Sequence, residues 1–229
     1  MQRNPFALFQ QFPELTVELW AKDDRINVKQ DLASALGKRD IAIPKQVHGN
    51  RTIVARSPML FSENADGVLT DQLGLTLSVL MADCQTFAVY APKKRVAGVL
   101  HAGWRGLIAG AIPAFFEMLR QEWNILPSEC FVAAGPSLCA SCSEFTDPHR
   151  ELPDIDPKFF HGRLVDLRGI ADDQMDHLGI PLSQRERHLD CTRCKHDQYW
   201  SYRGPDRERV REGWENVLCV KVRPTTVEQ

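Results

Sequence analysis

Residues 75–110 read LTLSVLMADCQTFAVYAPKKRVAGVLHAGWRGLIAG, and this stretch decides the fold. Leu75–Met81 is a continuous apolar run, the pattern of a strand buried on both faces. Ala82-Asp83-Cys84 follows it. Residues 86–91 and 96–101 read as two further strands, joined by Pro92-Lys93-Lys94-Arg95. If that turn closes a hairpin, His101 pairs near residue 86. Cys84 then lies just beyond the ladder, and both side chains collect at one end of the sheet. After Gly103-Trp104-Arg105-Gly106, a helix carries Leu107, Ile108, Ala111, Ile112, Phe115, Met118 and Leu119 on one buried face.

Working outward, residues 16–21 read as a strand. Residues 28–36 read as a short helix capped by Asn27 and stopped by Gly37. Residues 41–48 read as a strand, Gly49-Asn50 as a turn, and residues 51–55 as a strand returning from it. His48 thus stands at a strand end. A polar loop then leads to a short strand at 68–70. Downstream, 130–134 reads as a strand, 139–162 as irregular, 164–178 as a helix stopped by Gly179, and 216–222 as a strand. Strands and helices in mixed order predict an α+β or mixed α/β fold, with residues 1–229 as one domain.

The 229 residues suffice for one sizeable core. The formal net charge of −2 supplies no basic field for nucleic acid or an anionic membrane surface. Every apolar run is interrupted well short of a membrane span. The N-terminus MQRNPFALFQQFPEL lacks the apolar core of a signal peptide, so a cytoplasmic protein is expected. Seven cysteines fit reduced thiols and metal ligation better than a disulfide scaffold. The sequence sets no oligomeric state.

Thiolate plus imidazole is a zinc-compatible ligand set, and three protein ligands leave a position open for water or substrate. Cys84 and His101 supply two ligands, and His48, beside its glycine turn, is the best third. Such a cysteine also suits a small core hydrophobe, and such histidines suit the surface. The Gly103–Gly106 turn before a helix could hold an anion on backbone N–H groups, or serve packing alone. Asp83 could orient a ligand, act as a base or cap a turn.

QVHGN at 46–50, ADGVLT at 65–70, ADC at 82–84 and HAGWRG at 101–106 resemble the successive motifs of the YfiH-type family. GPS at 135–137, Cys191-Thr192 and SYR at 201–203 match further family stretches in order, so the resemblance covers residues 40–225. Its members are known as laccase-domain or polyphenol-oxidase-like proteins, and now as zinc-dependent purine nucleoside phosphorylases. The resemblance implies a layered sandwich of mixed β-sheets with flanking helices, of the CNF-toxin/YfiH type. It implies metal ligation, and catalysis, by His48, Cys84 and His101. The implied cofactor is Zn²⁺, with copper as the alternative. The implied substrates are phosphate with adenosine, inosine, guanosine or methylthioadenosine, and adenosine for deamination to inosine. Lys45, Gly103, Arg105 and Arg203 are the candidates for substrate and phosphate binding. The alternatives are a copper-dependent polyphenol oxidase, a Cys84-dependent hydrolase editing peptidoglycan precursors, and a non-enzymatic relative that keeps the metal as a pin.

The chain departs from the family pattern at Thr86, at Val28-Lys29, at Gly204 and across Cys139–Glu144. These changes are expected at the substrate rim. Cys139-x-x-Cys142 and Cys191-x-x-Cys194, with His196 nearby, form two CxxC pairs. Four thiolates could close a structural metal site, although the gap between the pairs far exceeds the usual 15–20 residues of a zinc ribbon.

Overall fold

The computed structural model describes residues 1–30, 32–37 and 40–224. In chain order its strands are β1 (Gln2–Arg3), β2 (Leu15–Trp20), β3 (Ile41–Lys45), β4 (Thr52–Val54), β5 (Met59–Asn64), β6 (Gly67–Thr70) and β7 (Thr76–Met81), then β8 (Gln85–Ala91), β9 (Val96–Ala102), β10 (Phe131–Ala134), β11 (Phe160–His161), β12 (Leu164–Val165), β13 (Arg185–Arg187) and β14 (Asn216–Val222). The α-helices are α1 (Leu32–Ala35), α2 (Trp104–Ile108), α3 (Ala111–Trp123), α4 (Pro148–Glu151), α5 (Leu167–His177) and α6 (Arg207–Arg211).

Two six-stranded mixed sheets form, ordered β1-β2-β14-β7-β3-β5 and β13-β10-β8-β9-β6-β4, with β11 and β12 as a separate pair. The expected central hairpin is present. β8 and β9 pair antiparallel from Gln85–Ala102 to Ala91–Val96, which sets His101 opposite Thr86. Every residue of β7, β8 and β9 is buried, because each strand is covered on both faces.

Strand alternation distributes the core. Phe87, Val89 and Ala91 of β8 face α3 and α5, meeting Ile112, Phe115, Phe116, Leu119, Ile170 and Met175. Ala88 and Tyr90 point the other way, into the space between the sheets, with Leu77, Val79, Val99, Leu218 and Val220. The outer face of the first sheet is covered around Leu32 and Leu36, which pack with Ile41, Ile43, Leu80 and Val217. The result is the layered sandwich of mixed sheets with flanking helices, an α+β fold.

Several local expectations change. Gly49-Asn50 closes no hairpin, since β3 lies in the first sheet and β4 in the second, parallel to β6. The N–H groups of the turn go to a carboxylate, Asp66, and not across a ladder. The chain therefore crosses between sheets there. The polar loop before residue 67 holds β5. The helix expected after a Gly103–Gly106 turn begins earlier, at Trp104 with Gly103 as its cap, and is two helices, broken where Gly110 adopts φ +75°. The helix expected over 164–178 begins at Leu167, where Asp166 caps the Gly169 N–H, and Gly179 at φ +71° ends it as expected. The helix expected over 28–36 shrinks to α1, because Asn27 takes the Lys29 N–H in a local turn and leaves Val28 outside. Residue 31 of that expected helix lies outside the described residues.

Gly98 of β9 shows how closely the helix layer sits. A Cβ there would come within 2.5 Å of both Leu69 Cδ2 and Phe115 Cζ. Gly98→Ala is expected to cost about 1–3 kcal/mol by overpacking, read as a lower urea midpoint with unchanged slope.

Candidate metal centre

The hairpin delivers two of the three expected ligands. His101 lies near the end of β9, and Cys84 stands immediately before β8. His48 arrives from the crossing between the sheets. There the ladder between β3 and β7 has ended, and the Gln46 amide replaces it. Gln46 Nε2 donates to the Leu80 carbonyl at 2.9 Å and Gln46 Oε1 accepts the Leu80 N–H at 2.7 Å. One potential ligand atom from each of His48, Cys84 and His101 lies within 4.8 Å of the others. The two rings meet edge to face, with centroids 4.9 Å apart.

Gly103 fits this convergence. A Cβ at that position would sit 2.8 Å from Cys84 Sγ and 3.3 Å from His48 Cδ2, in the space the cluster occupies. His48 and Asp83 hold φ of +61° and +89°, a conformation that costs a non-glycine residue roughly 1–3 kcal/mol. Each is held there by hydrogen bonds. The Asp66 carboxylate accepts the N–H groups of His48 at 2.9 Å and Gly49 at 2.8 Å, and faces His101 Nδ1 at 3.0 Å. That contact commits His101 Nδ1 and leaves Nε2 for a metal, the usual carboxylate–histidine–metal arrangement. Burial pushes the Asp66 carboxyl up, but the His101 hydrogen bond and the backbone donors outweigh it and hold it below the usual carboxylate value. Asp83 accepts from Thr192 Oγ1, Ser201 Oγ and the Arg203 N–H, each at 2.7 Å. These partners lie in the tail, so the carboxylate tethers a distant segment and caps no local turn.

Without a metal, burial pushes the Cys84 thiol up. The charge and hydrogen bonds of His101 and His48 outweigh burial and bring it down to about 6. Burial pulls His101 down, while the Cys84 charge and the Asp66 hydrogen bond lift it to about 9. A soft thiolate and two imidazoles on one site suit a tetrahedral metal with one open position.

The cluster lies in a cleft of about 620 Å³, within the usual range for small-molecule sites. Lys45, Gly103, Arg105 and Arg203 all line it. Arg105 stacks over Trp104 at 4.2 Å, and Arg203 lies 5.4 Å from the Phe145 ring while bonding the Glu144 carbonyl. Phe61, Tyr202 and Glu215 also line the cleft, and sequence reading did not select them for it. Phe61 lay in a segment read as loop, and Glu215 beside a strand read only for its apolar residues. Burial pushes the Glu215 carboxyl up, to about 7. Of the departures expected at the rim, Thr86 is instead fully buried in the sheet, its hydroxyl 2.9 Å from Met81 Sδ. The four CxxC sulfurs form a second cluster, also within 4.8 Å of one another, and His196 is not part of it.

Residues 8–214 match the family described as multi-copper polyphenol oxidoreductase laccase. The chain belongs to this YfiH-type, laccase-domain family. Among curated relatives, the purine nucleoside phosphorylase YlmD of Geobacillus stearothermophilus is 27% identical over 84% of this chain and 79% of its own. The purine nucleoside phosphorylase SCO2081 of Streptomyces coelicolor is 31% identical over 69% of this chain and 67% of its own. The adenosine deaminase RL5, from an unknown prokaryotic organism, is 27% identical over 79% and 75%. The crystal structure of Bacillus licheniformis YfiH superposes with a TM-score of 0.78 at 20% identity, covering 93% of this chain and 95% of that one. No helix among the described residues is long and apolar enough to cross a membrane.

Two expectations follow. A metal must displace the His101 proton, so metal affinity rises with pH between about 6 and about 9. The gain is about tenfold per pH unit for that proton and levels off above, as read by chelator competition. Asp66→Asn removes the charge that orients His101 and is expected to weaken metal binding about 10–100-fold in the same assay.

Proposed function

We propose that this chain is a zinc-dependent enzyme of purine nucleosides. It cleaves adenosine, inosine, guanosine and methylthioadenosine with phosphate, and it deaminates adenosine. The observation that carries the proposal is the convergence of His48, Cys84 and His101 in a cleft also lined by Lys45, Arg105 and Arg203. The names of the curated relatives support the substrate class. We read residues 1–229 as one domain, because both sheets share the core between them. We place the protein in the cytoplasm, where its seven free cysteines would stay reduced.

In this reading His48, Cys84 and His101 hold zinc, which when bound supplies Lewis acidity and lowers the pKa of a water to roughly 7. His101 presents Nε2 because Asp66 engages Nδ1. Lys45, Arg105 and Arg203 bind phosphate and offset the charge that develops as it attacks C1′. The backbone at Gly103 keeps the floor of the cleft open. Phe61 and Tyr202 supply ring faces for the purine. Glu215, half-buried and titrating near neutrality, carries the proton to the departing base.

Copper oxidation of phenols, suggested by the family description, needs several histidine-rich centres. Among the described residues only His48 and His101, of seven histidines, belong to a ligand cluster. One observation favours a second reading. The low Cys84 thiol beside His101 is also the arrangement of a cysteine hydrolase. A chelator that leaves activity intact, with a Cys84-directed alkylating reagent that abolishes it, would select that reading.

The test is inosine with phosphate. Hypoxanthine and ribose 1-phosphate should appear, and His101→Ala should lower kcat/KM by about a hundredfold or more. Equal turnover by the variant would refute the site.

A further inference from the structure

We infer that Cys139, Cys142, Cys191 and Cys194 form a second metal site, a closed tetrathiolate zinc centre that is structural and distinct from the cleft. The sulfurs come from two CxxC turns far apart in sequence, yet all four lie within 4.8 Å of one another. A Zn–S bond of about 2.3 Å places tetrahedral sulfurs about 3.8 Å apart, so this packing needs only a small contraction. Cys142 Sγ and Cys194 Sγ are already 3.5 Å apart.

The surroundings are built for such a centre. The segments before the two turns run parallel through a bridge between Ser137 and Cys191. The Cys139 N–H donates to Cys191 Sγ at 3.3 Å, the N–H···S contact that steadies a thiolate ligand. Within the turns, the Cys142 N–H reaches the Cys139 carbonyl at 3.0 Å and the Lys195 N–H reaches the Cys191 carbonyl at 2.9 Å. Arg168 ties the approaches together. Its guanidinium donates to the carbonyls of Leu138 at 3.0 Å, Asp190 at 2.6 Å and Leu189 at 3.2 Å. Its charge interacts with Cys139 and Cys191 and offsets part of the net negative charge that four thiolates around Zn²⁺ carry.

The centre forms without redox chemistry. Four thiols release their protons to solvent as four Zn–S bonds form. Four protein ligands leave no open position, which marks the centre as structural. Its place explains its use. Thr192, inside the second turn, donates to Asp83, and the Leu138 N–H reaches the Asp83 carbonyl at 3.1 Å. The metal therefore fixes the two segments that hang on Asp83 and carry Leu138, Tyr202 and Arg203 to the cleft. The four thiols also give the 139–162 region, which holds the short α4 and β11 where an irregular stretch was expected, and the tail a common anchor.

The experiment is metal analysis by native mass spectrometry on protein prepared in reductant without added metal. His48→Ala/His101→Ala should retain one zinc per chain, and wild type should carry more. In the folded His48→Ala/His101→Ala protein four thiols should resist a thiol reagent until a chelator removes zinc. Amide exchange in 137–144 and 188–203 should then accelerate. Cys139→Ser/Cys194→Ser should lose this zinc. If that variant fails to fold, cobalt substitution of His48→Ala/His101→Ala replaces it, and intense thiolate-to-cobalt absorption is expected. Absence of metal from folded His48→Ala/His101→Ala, a Cys142–Cys194 disulfide, or iron in place of zinc would overturn the proposal.

Discussion

The Asp66 carboxylate, fully buried, receives the N–H groups of His48 and Gly49 and faces the ring of His101. It stands just before β6 in the second sheet, while His48 ends the segment leaving β3 in the first. One side chain therefore joins the two layers at the point where the candidate ligands meet. Removing it would leave the part-buried N–H groups of His48 and Gly49 without their acceptor and free the His101 ring to turn. The left-handed backbone at His48 depends on the same carboxylate, so the unfavourable conformation and the ligand position have one origin.

Asp83 does for the rim what Asp66 does for the floor. Its oxygens collect Thr192, Ser201 and the Arg203 backbone, and bring the tail against the strand end before Cys84. The cleft thus has one wall from the hairpin and a second assembled from loops. In the proposed enzyme the first wall holds the metal, and the second carries Tyr202, Arg203 and Glu215 toward the substrate. The four-cysteine cluster lies where the hydrophobic core is small, Leu138 with Cys142 and Cys191, and in the inference drawn above a metal reinforces it.

The hairpin was legible because strand pairing is local. A turn at residues 92–95 fixes the register of His101 against Thr86, and the place of Cys84 with it. The sequence places His48 at the end of a strand over 41–48, but β3 stops at Lys45 and His48 stands beyond it, in the crossing between the sheets. Gly49-Asn50 carries hairpin chemistry, and only the distant Asp66 diverts the chain to the other sheet. Asp66 itself read as part of a polar loop, since nothing local shows that an aspartate before a strand will be buried. Glu215 and Phe61 reach the cleft through tertiary packing, which leaves no periodic trace. The break at Gly110 was written in the sequence, but the apolar pattern continues across it and hides it. The gap between the CxxC pairs argued against a compact metal knuckle. The fold closes that gap by pairing Ser137 with Cys191.

The central claim is that His48, Cys84 and His101 together hold the metal on which catalysis depends. Anomalous diffraction at the zinc edge tests it, on crystals of protein purified without added metal and shown to be active when redissolved. The account predicts a peak about 2.3 Å from Cys84 Sγ and about 2.0–2.1 Å from one nitrogen of each histidine. Active crystals with no anomalous density among these three residues would contradict it.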